Sequence, residues 1–200
     1  QHGCLRRLAA AWALAALRVV LCLGLNFLLV DDIHSYTRVM LGELYTQSGQ
    51  INTLFLGSSH CYRSFDPQIV DERLGTRSFN AGSSQQLPDG SFYLLRQALA
   101  RNDLDTVYLE TFFTGYNQEK SSNVPLACYL LTDYMDPLSI DRYAYLWEMG
   151  GAAAFLDLIF PARHSIASPE DLPDLWTAKL TDGYDITNYS YVTYPEDGEE

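Results

Sequence analysis

Hydrophobic and polar residues follow one another along the chain in blocks of different length and period. The first block, Leu8 to Val30, reads LAAAWALAALRVVLCLGLNFLLV and is apolar almost throughout. At ~1.5 Å per residue its 23 residues make a helix of about 35 Å, enough to cross a hydrocarbon core. Arg18 and Asn26 interrupt it; a central Arg costs roughly 2.5–3.5 kcal/mol on insertion scales, which the surrounding Leu, Val, Ala and Phe offset. Residues 31–48 read as a polar helix or linker. Ile51–Leu56 (INTLFL) is a short run of β-formers ending at Gly57, as expected of a buried strand. Asp66-Pro67 opens a helix with Ile69, Val70 and Leu74 on one face, and Gly75 stops it. Arg77–Ala81 is a second strand ending at Gly82. Asp89 is placed to cap a helix in which Phe92, Leu95 and Leu99 repeat at helical spacing. Thr106–Phe112 is a third strand. Beyond Gly115 the pattern weakens: Leu126–Tyr134, Tyr143–Met149 and Gly151–Phe160 are expected as helices, broken up by Pro137, Pro161, Pro169 and Pro173. The last twenty residues carry six acids, four Tyr and no base, and read as loop.

Strand, helix, strand, helix, strand argues for an α/β domain with a parallel sheet covered by helices. In such sheets, sites lie beyond the carboxyl ends of the strands. Both Gly-Ser turns, at Gly57 and Gly82, therefore fall on the functional edge. The resulting division is a cytoplasmic stub over 1–7, a transmembrane anchor over 8–30, a linker helix over 31–49 and a domain over 50–200.

Charge sharpens this division. The net charge is −12, but residues 1–30 hold Arg6, Arg7 and Arg18 and no acid, whereas residues 31–200 hold 25 acids against 10 bases, a net of −15. So acidic a surface repels phosphate backbones, and no nucleic-acid partner is expected. Arg6 and Arg7 before the apolar run, and Asp31 and Asp32 after it, put the N-terminus in the cytoplasm and the rest outside, a single-pass plasma-membrane protein. A cleaved signal needs small residues at the cut, and the run instead ends in Leu-Leu-Val-Asp-Asp; Leu21 before Cys22 does not suit a lipoprotein signal either. A buried helix of a soluble protein is the remaining alternative. Of the four Cys, none forms C-x-x-C, so a zinc site has no support. Cys61 and Cys128 are the ones that could pair in an exported domain, and free buried thiols are the favoured reading.

The segment that carries chemistry is Phe55-Leu56-Gly57-Ser58-Ser59-His60. A Ser on a tight turn after a buried strand is held at the sheet edge, where its hydroxyl can attack a carbonyl while backbone N–H groups face the oxyanion. Ser-rich turns are also common as plain structure. The wider pattern is GSSHCYRSFDP, then SFNAGSS after a short helix, then a strand ending in LE. Over roughly residues 50–112 it resembles the SGNH/GDSL hydrolase superfamily, and within it the envelope acyl-transfer members such as the D-alanyl transfer protein and the alginate O-acetylation proteins. The resemblance implies a three-layer, flavodoxin-like α/β sandwich. It aligns the family's Gly-Asp-Ser with Gly57-Ser58-Ser59, which makes Ser59 the nucleophile and Ser58 the replacement for the Asp. Gly82 matches the second block, whose N–H helps form the oxyanion hole; otherwise it is a turn glycine. The third block supplies an Asn, often in Gly-x-Asn-Asp, and Gly115-Tyr116-Asn117-Gln118 offers Asn117 without the final Asp; otherwise it is a loop residue.

The family's last block, Asp-x-x-His, brings the general base and its orienting carboxylate. His164 has no Asp three residues before it. Asp31-Asp32-Ile33-His34 has the letters but precedes the first strand and is read as coincidence. His60 neighbours Ser59, where adjacent side chains diverge, and is read as supporting the turn. The resemblance therefore implies an Asp and a His beyond Glu200. A chain without an initiator Met reads as a fragment, expected to be inactive by itself. The implied reaction is two-step acyl transfer through an acyl-serine, with water or a hydroxyl of an envelope glycan or glycopolymer as acceptor. No metal or nucleotide cofactor is implied. A membrane-embedded acyltransferase is the protein partner expected by analogy, with Arg18 as a contact point. The 14 Tyr suit sugar stacking and cores alike. The rival class is a non-catalytic envelope protein that keeps the fold as a scaffold; a peptidase or phosphatase on another α/β scaffold is weaker, because no other nucleophile or metal set is present.

Overall fold

The computed structural model describes residues 2–32, 35–111, 124–159 and 166–181. Helix α1 (His2–Leu29) takes in the expected anchor and begins ahead of Leu8, so the residues expected as a stub continue the helix. Trp12, Leu17, Val20 and Leu23 all point outward, and none of the most apolar stretch of Cys4–Leu29 is buried. A core helix of a soluble protein would be covered by the fold, and α1 is not. Among the described residues, one N-terminal helix is long and apolar enough to span a membrane.

Residues 31–49 do not stand clear as a spacer. Helix α2 (Tyr36–Thr46) is capped by Ser35, whose hydroxyl accepts from Arg38 N–H at 3.3 Å. Its Thr37, Met40, Leu41 and Leu44, at helical spacing, are buried, the last three in the main core. The polar residues between them hide this stripe when the segment is read by composition.

Strands β1 (Thr53–Leu56), β2 (Ser78–Asn80) and β3 (Thr106–Leu109) form one parallel sheet in the order β2-β1-β3. Leu54 is level with Phe79 and with Val107. Helices α3 (Ser59–Ser64), α4 (Pro67–Leu74) and α5 (Pro88–Leu99) connect the strands. The chain is therefore α/β with a small parallel sheet, in the expected element order. Parallel neighbours cannot be joined by a hairpin, which is why a helix stands between each pair.

The α4 boundaries follow from its punctuation. Asp66 accepts from Gln68 N–H at 2.8 Å, Pro67 needs no donor at the first position, and Gly75 ends the helix in the left-handed conformation with φ of 66°. The face of Ile69, Val70 and Leu74 is not buried. Helix α5 starts earlier than expected. Leu87 is its cap residue, with Pro88 at the first position, and Asp89 instead accepts from Gly90 N–H at 2.9 Å inside the first turn. The expected apolar face is also displaced: Phe92 and Leu99 are exposed, and the buried face runs through Gly90, Tyr93, Leu94, Gln97 and Ala98.

Gln97 can lie there because its amide is satisfied. It donates to Ser139 Oγ at 2.6 Å and Asp141 Oδ2 at 3.2 Å, and its carbonyl accepts from Tyr45 O–H at 3.3 Å and Arg101 at 3.2 Å. These bonds join α2 and α5 to helices α6 (Val124–Thr132) and α7 (Ile140–Ile159) through the loop between them. The two helices expected at 143–149 and 151–160 form the single element α7, broken at Gly151 with φ of 57°. Helix α8 (Leu172–Thr181) falls in a stretch expected to be broken by prolines; Pro173 lies in its first turn, where no donor is needed. The main core joins Leu54, Leu56 and Phe79 of the sheet to Leu41, Leu94, Leu131 and Tyr145 of the helices. Fully burying a leucine contributes about 1.5–3 kcal/mol, so this shared cluster dominates the packing energy. Strand β3 differs from the other two: its residues are exposed, and β1 is its single strand neighbour among the described residues.

Candidate functional site

The two Gly-Ser turns lie at the same end of the sheet. Strand β1 runs into Gly57 and β2 into Gly82. Ala81 N–H donates to Phe55 O at 2.8 Å and Ser83 N–H to Gly57 O at 3.1 Å, which ties the second turn to the first. On the other side Glu110 N–H donates to Leu56 O at 2.8 Å. The carboxyl ends of all three strands thus meet around Gly57.

Gly57 is required twice over. Its φ of 156° is a conformation that L side chains rarely adopt, and an added Cβ would stand 2.5 Å from Glu110 Cβ and 2.9 Å from Cys61 Cβ. At Gly82 the backbone is ordinary, but an added Cβ would meet Tyr62 N at 3.0 Å and Cys61 Cβ at 3.1 Å. Its smallness lets the second turn press against the start of α3.

Ser59 is the first residue of α3 and is half-buried; its hydroxyl has no hydrogen-bond partner among the described residues. Ser58 is committed instead. Its hydroxyl donates to Glu110 Oε2 at 2.7 Å, accepts from His60 N–H at 3.3 Å as the cap of α3, and lies 3.2 Å from His60 Nδ1. Its backbone N–H donates to the same Glu110 oxygen at 2.8 Å. The His60 ring therefore faces Ser58, in line with the expectation that it supports the turn. Glu110 is the residue the motif reading passed over. It is the final letter of the strand ending in LE, and its carboxylate holds the N–H and O–H of the residue beside Ser59.

Asn80 was also passed over, although it stands two residues before Gly82. Its amide is buried and every position is used: Nδ2 donates to Phe65 O at 2.8 Å and Cys61 O at 3.2 Å, while Oδ1 accepts from Gly82 N–H at 3.0 Å and lies 3.5 Å from Cys61 Sγ. The Gly82 N–H expected to face an oxyanion is thus donated to Asn80. Past Gly82, Ser83 Oγ donates to Gln86 Oε1 at 2.8 Å, and Gln85 takes a left-handed φ of 55° at the tip of the turn. Asn117, His34 and His164 lie outside the described residues.

Cys61, beneath the site, is buried and free, as is Cys128. Burial first and the charge of Glu110 second push the Cys61 thiol up from 9.0 to about 12, so it is an inert neighbour rather than a nucleophile. No group of three or more His, Cys, Asp or Glu suited to a metal ion occurs among the described residues. The arrangement presents one unengaged serine hydroxyl on a turn held by a carboxylate, a buried amide and two close-packed glycines. Comparison with protein-family models, curated proteins and solved structures finds no match.

Proposed function

We propose that the chain belongs to a membrane-anchored serine esterase or O-acyltransferase of the SGNH type, built on a three-layer α/β sandwich and acting outside the membrane on envelope glycans or glycopolymers. The observation that carries the reading is the unengaged Ser59 hydroxyl at the carboxyl end of β1, packed beside the turn that follows β2. A hydroxyl so held attacks the carbonyl carbon of an ester or thioester once a base removes its proton; the donor's C–O or C–S bond breaks, its alcohol or thiol leaves with that proton, and water or a sugar hydroxyl then takes the acyl group and frees the serine. Glu110 and Ser58 act as positioning groups for that turn. The second turn supplies oxyanion donors when Asn80 shares or yields the Gly82 N–H. The positive-inside reading of Arg6 and Arg7, ahead of the apolar run, and of Asp31 and Asp32 after it supports an extracytoplasmic domain.

The test is covalent labelling of the full-length protein with a serine-reactive phosphonate, read by mass spectrometry of the 58–63 peptide. Adduct on Ser59 that disappears in Ser59→Ala supports the reading; equal labelling of both removes Ser59 from any mechanism. The second reading, a non-catalytic scaffold of the same fold, is favoured by two observations: the Gly82 N–H is engaged by Asn80, and the His60 ring faces Ser58 rather than Ser59. It predicts no adduct in either protein.

A further inference from the structure

An α-helix leaves its last four carbonyls without partners inside the helix. In α1 the Val30 N–H closes the ladder on Asn26 O at 3.0 Å, so these four belong to Phe27, Leu28, Leu29 and Val30. All four are met by donors from one distant segment, residues 166–181. Lys179 Nζ donates to Phe27 O at 2.9 Å and to Val30 O at 2.6 Å. Trp176 Nε1 donates to Leu28 O at 2.7 Å. Ala167 N–H donates to Leu29 O at 2.8 Å, beside an antiparallel bridge between Val30 and Ile166. The Lys179 side chain is only 3% exposed, and its ammonium lies 3.1 Å from Asp32 Oδ1, so a cation sits at the negative end of the helix dipole with a counter-charge beside it.

Water would meet such carbonyls at no structural expense if the helix ended in bulk solvent. In a water-poor layer each unmet carbonyl costs several kcal/mol, and protein donors must replace water. The segment that supplies them also carries unsheltered apolar side chains. Ile166 is 62% exposed, Leu180 77% and Trp176 39%. Trp176 and Leu180 are four residues apart on α8 and share a face, while Leu175 and Ala178 face inward onto Ala167. Tryptophan with its indole N–H satisfied and its ring exposed is the residue type that collects at headgroup depth.

We infer that residues 166–181 are a second membrane contact: α8 lies in the bilayer interface at the point where α1 leaves the hydrocarbon, with Trp176, Leu180 and Ile166 in the headgroup and upper acyl layer. The domain is then seated on the lipid surface and not held off on a tether. This rests on α1 crossing a bilayer, and the partner is the lipid interface itself. Hydrogen bonds to the last turn of α1 fix α8 at that depth, whichever side the domain occupies.

The experiment uses depth-resolved quenching in vesicles of phosphatidylcholine brominated either near the headgroup end of its acyl chains or near the bilayer centre. The three tryptophans are Trp12, Trp147 and Trp176. Trp12 and Trp147 are exposed, so replacing either with Phe leaves no core cavity. Three single-tryptophan proteins are compared. Trp12 reports the insertion of α1 and Trp147 is the solvent control. Trp176 should be quenched strongly by the shallow bromines, weakly by the deep ones, and more than Trp147 by both. Quenching of Trp12 without quenching of Trp176 overturns the seat and leaves the anchor intact. Quenching of neither overturns the anchor and the seat together. Leu180→Asp, at an exposed position, is the second variant: it should reduce quenching of Trp176 while leaving that of Trp12 unchanged, and unchanged quenching of Trp176 counts against an interfacial Leu180.

Discussion

Ser58 and Glu110, 52 residues apart in the chain, are joined by two hydrogen bonds to a single carboxylate oxygen: the Ser58 O–H at 2.7 Å and its N–H at 2.8 Å. The pair fixes the end of β1 against the end of β3 and holds the residue before Ser59 in place. Ser58→Ala is expected to lower stability by about 1 kcal/mol through loss of the α3 cap. Glu110→Gln should cost roughly 1–3 kcal/mol, because it replaces charge-assisted bonds. The double variant should fall short of the sum by about 1 kcal/mol, as measured by urea titration in detergent with near-ultraviolet circular dichroism. Strict additivity would mean that the two residues do not act through each other.

Gly57 and Gly75 both have positive φ, but their surroundings differ. An added Cβ at Gly75 meets nothing within 4 Å, whereas at Gly57 it meets Glu110 Cβ at 2.5 Å. Gly75→Ala should therefore cost only the backbone penalty, about 1 kcal/mol. Gly57→Ala adds overpacking and should cost about 3 kcal/mol or more. Thermal unfolding of the two variants side by side checks the ranking, and equal losses would show that the site turn has room to relax.

Asn80→Leu keeps a side chain of similar length but removes the amide bonds to Cys61 O, Phe65 O and the Gly82 N–H, while Cys61 O retains the Phe65 N–H. Losing the bonds of one buried amide should cost about 1–3 kcal/mol. Asn80→Asp should be comparably harmful, since a carboxylate cannot donate to the two carbonyls. Limited proteolysis across residues 57–66 reads the loosening directly, and protection unchanged from wild type would contradict the role given to this amide.

The buried thiols set an alkaline limit. Burial raises both Cys61 and Cys128 from 9.0 to about 12. Their neutral form is favoured by the fold, so this contribution is fully present below about pH 9 and is lost as pH rises through about 12. Burial and the bond to Glu148 raise Tyr93 to about 12 as well, which adds to the same limb. Cys61→Ala should flatten the fall in stability between those pH values without abolishing it. At neutral pH neither thiol should react with a disulfide reagent until the protein is unfolded; prompt labelling would show that the site floor is open.

Much of the architecture was legible because it is written locally. Gly57 and Gly82 mark the strand ends, and Asp66-Pro67 and Gly75 bracket α4, since turn and cap chemistry depends on the residue itself and its near neighbours. Ser59 and Gly82 could be placed on one edge for the same reason. What escaped depends on partners far along the chain. Gln97 takes a core position because Tyr45, Arg101, Ser139 and Asp141 satisfy it. Leu41 and Leu44 are buried in the core they share with the sheet and other helices, which polar neighbours in their own segment do not announce. Glu110 reaches the site only because β3 lies beside β1 in register. The capping of α1 by Lys179 joins residues about 150 apart, beyond any window of local pattern.

The Asn80 amide grips the carbonyls of Cys61 and Phe65 with one end and the Gly82 N–H with the other. Residues 57–65 and 78–83 consequently behave as one cassette, separated in the gene by α4 but inherited in the fold together. A chimera that takes one stretch from a homologue and keeps the other from this chain will mismatch that clasp. Recombination points placed before Gly57 and after Ser83 preserve it, and loop libraries for this protein are best varied across both stretches at once.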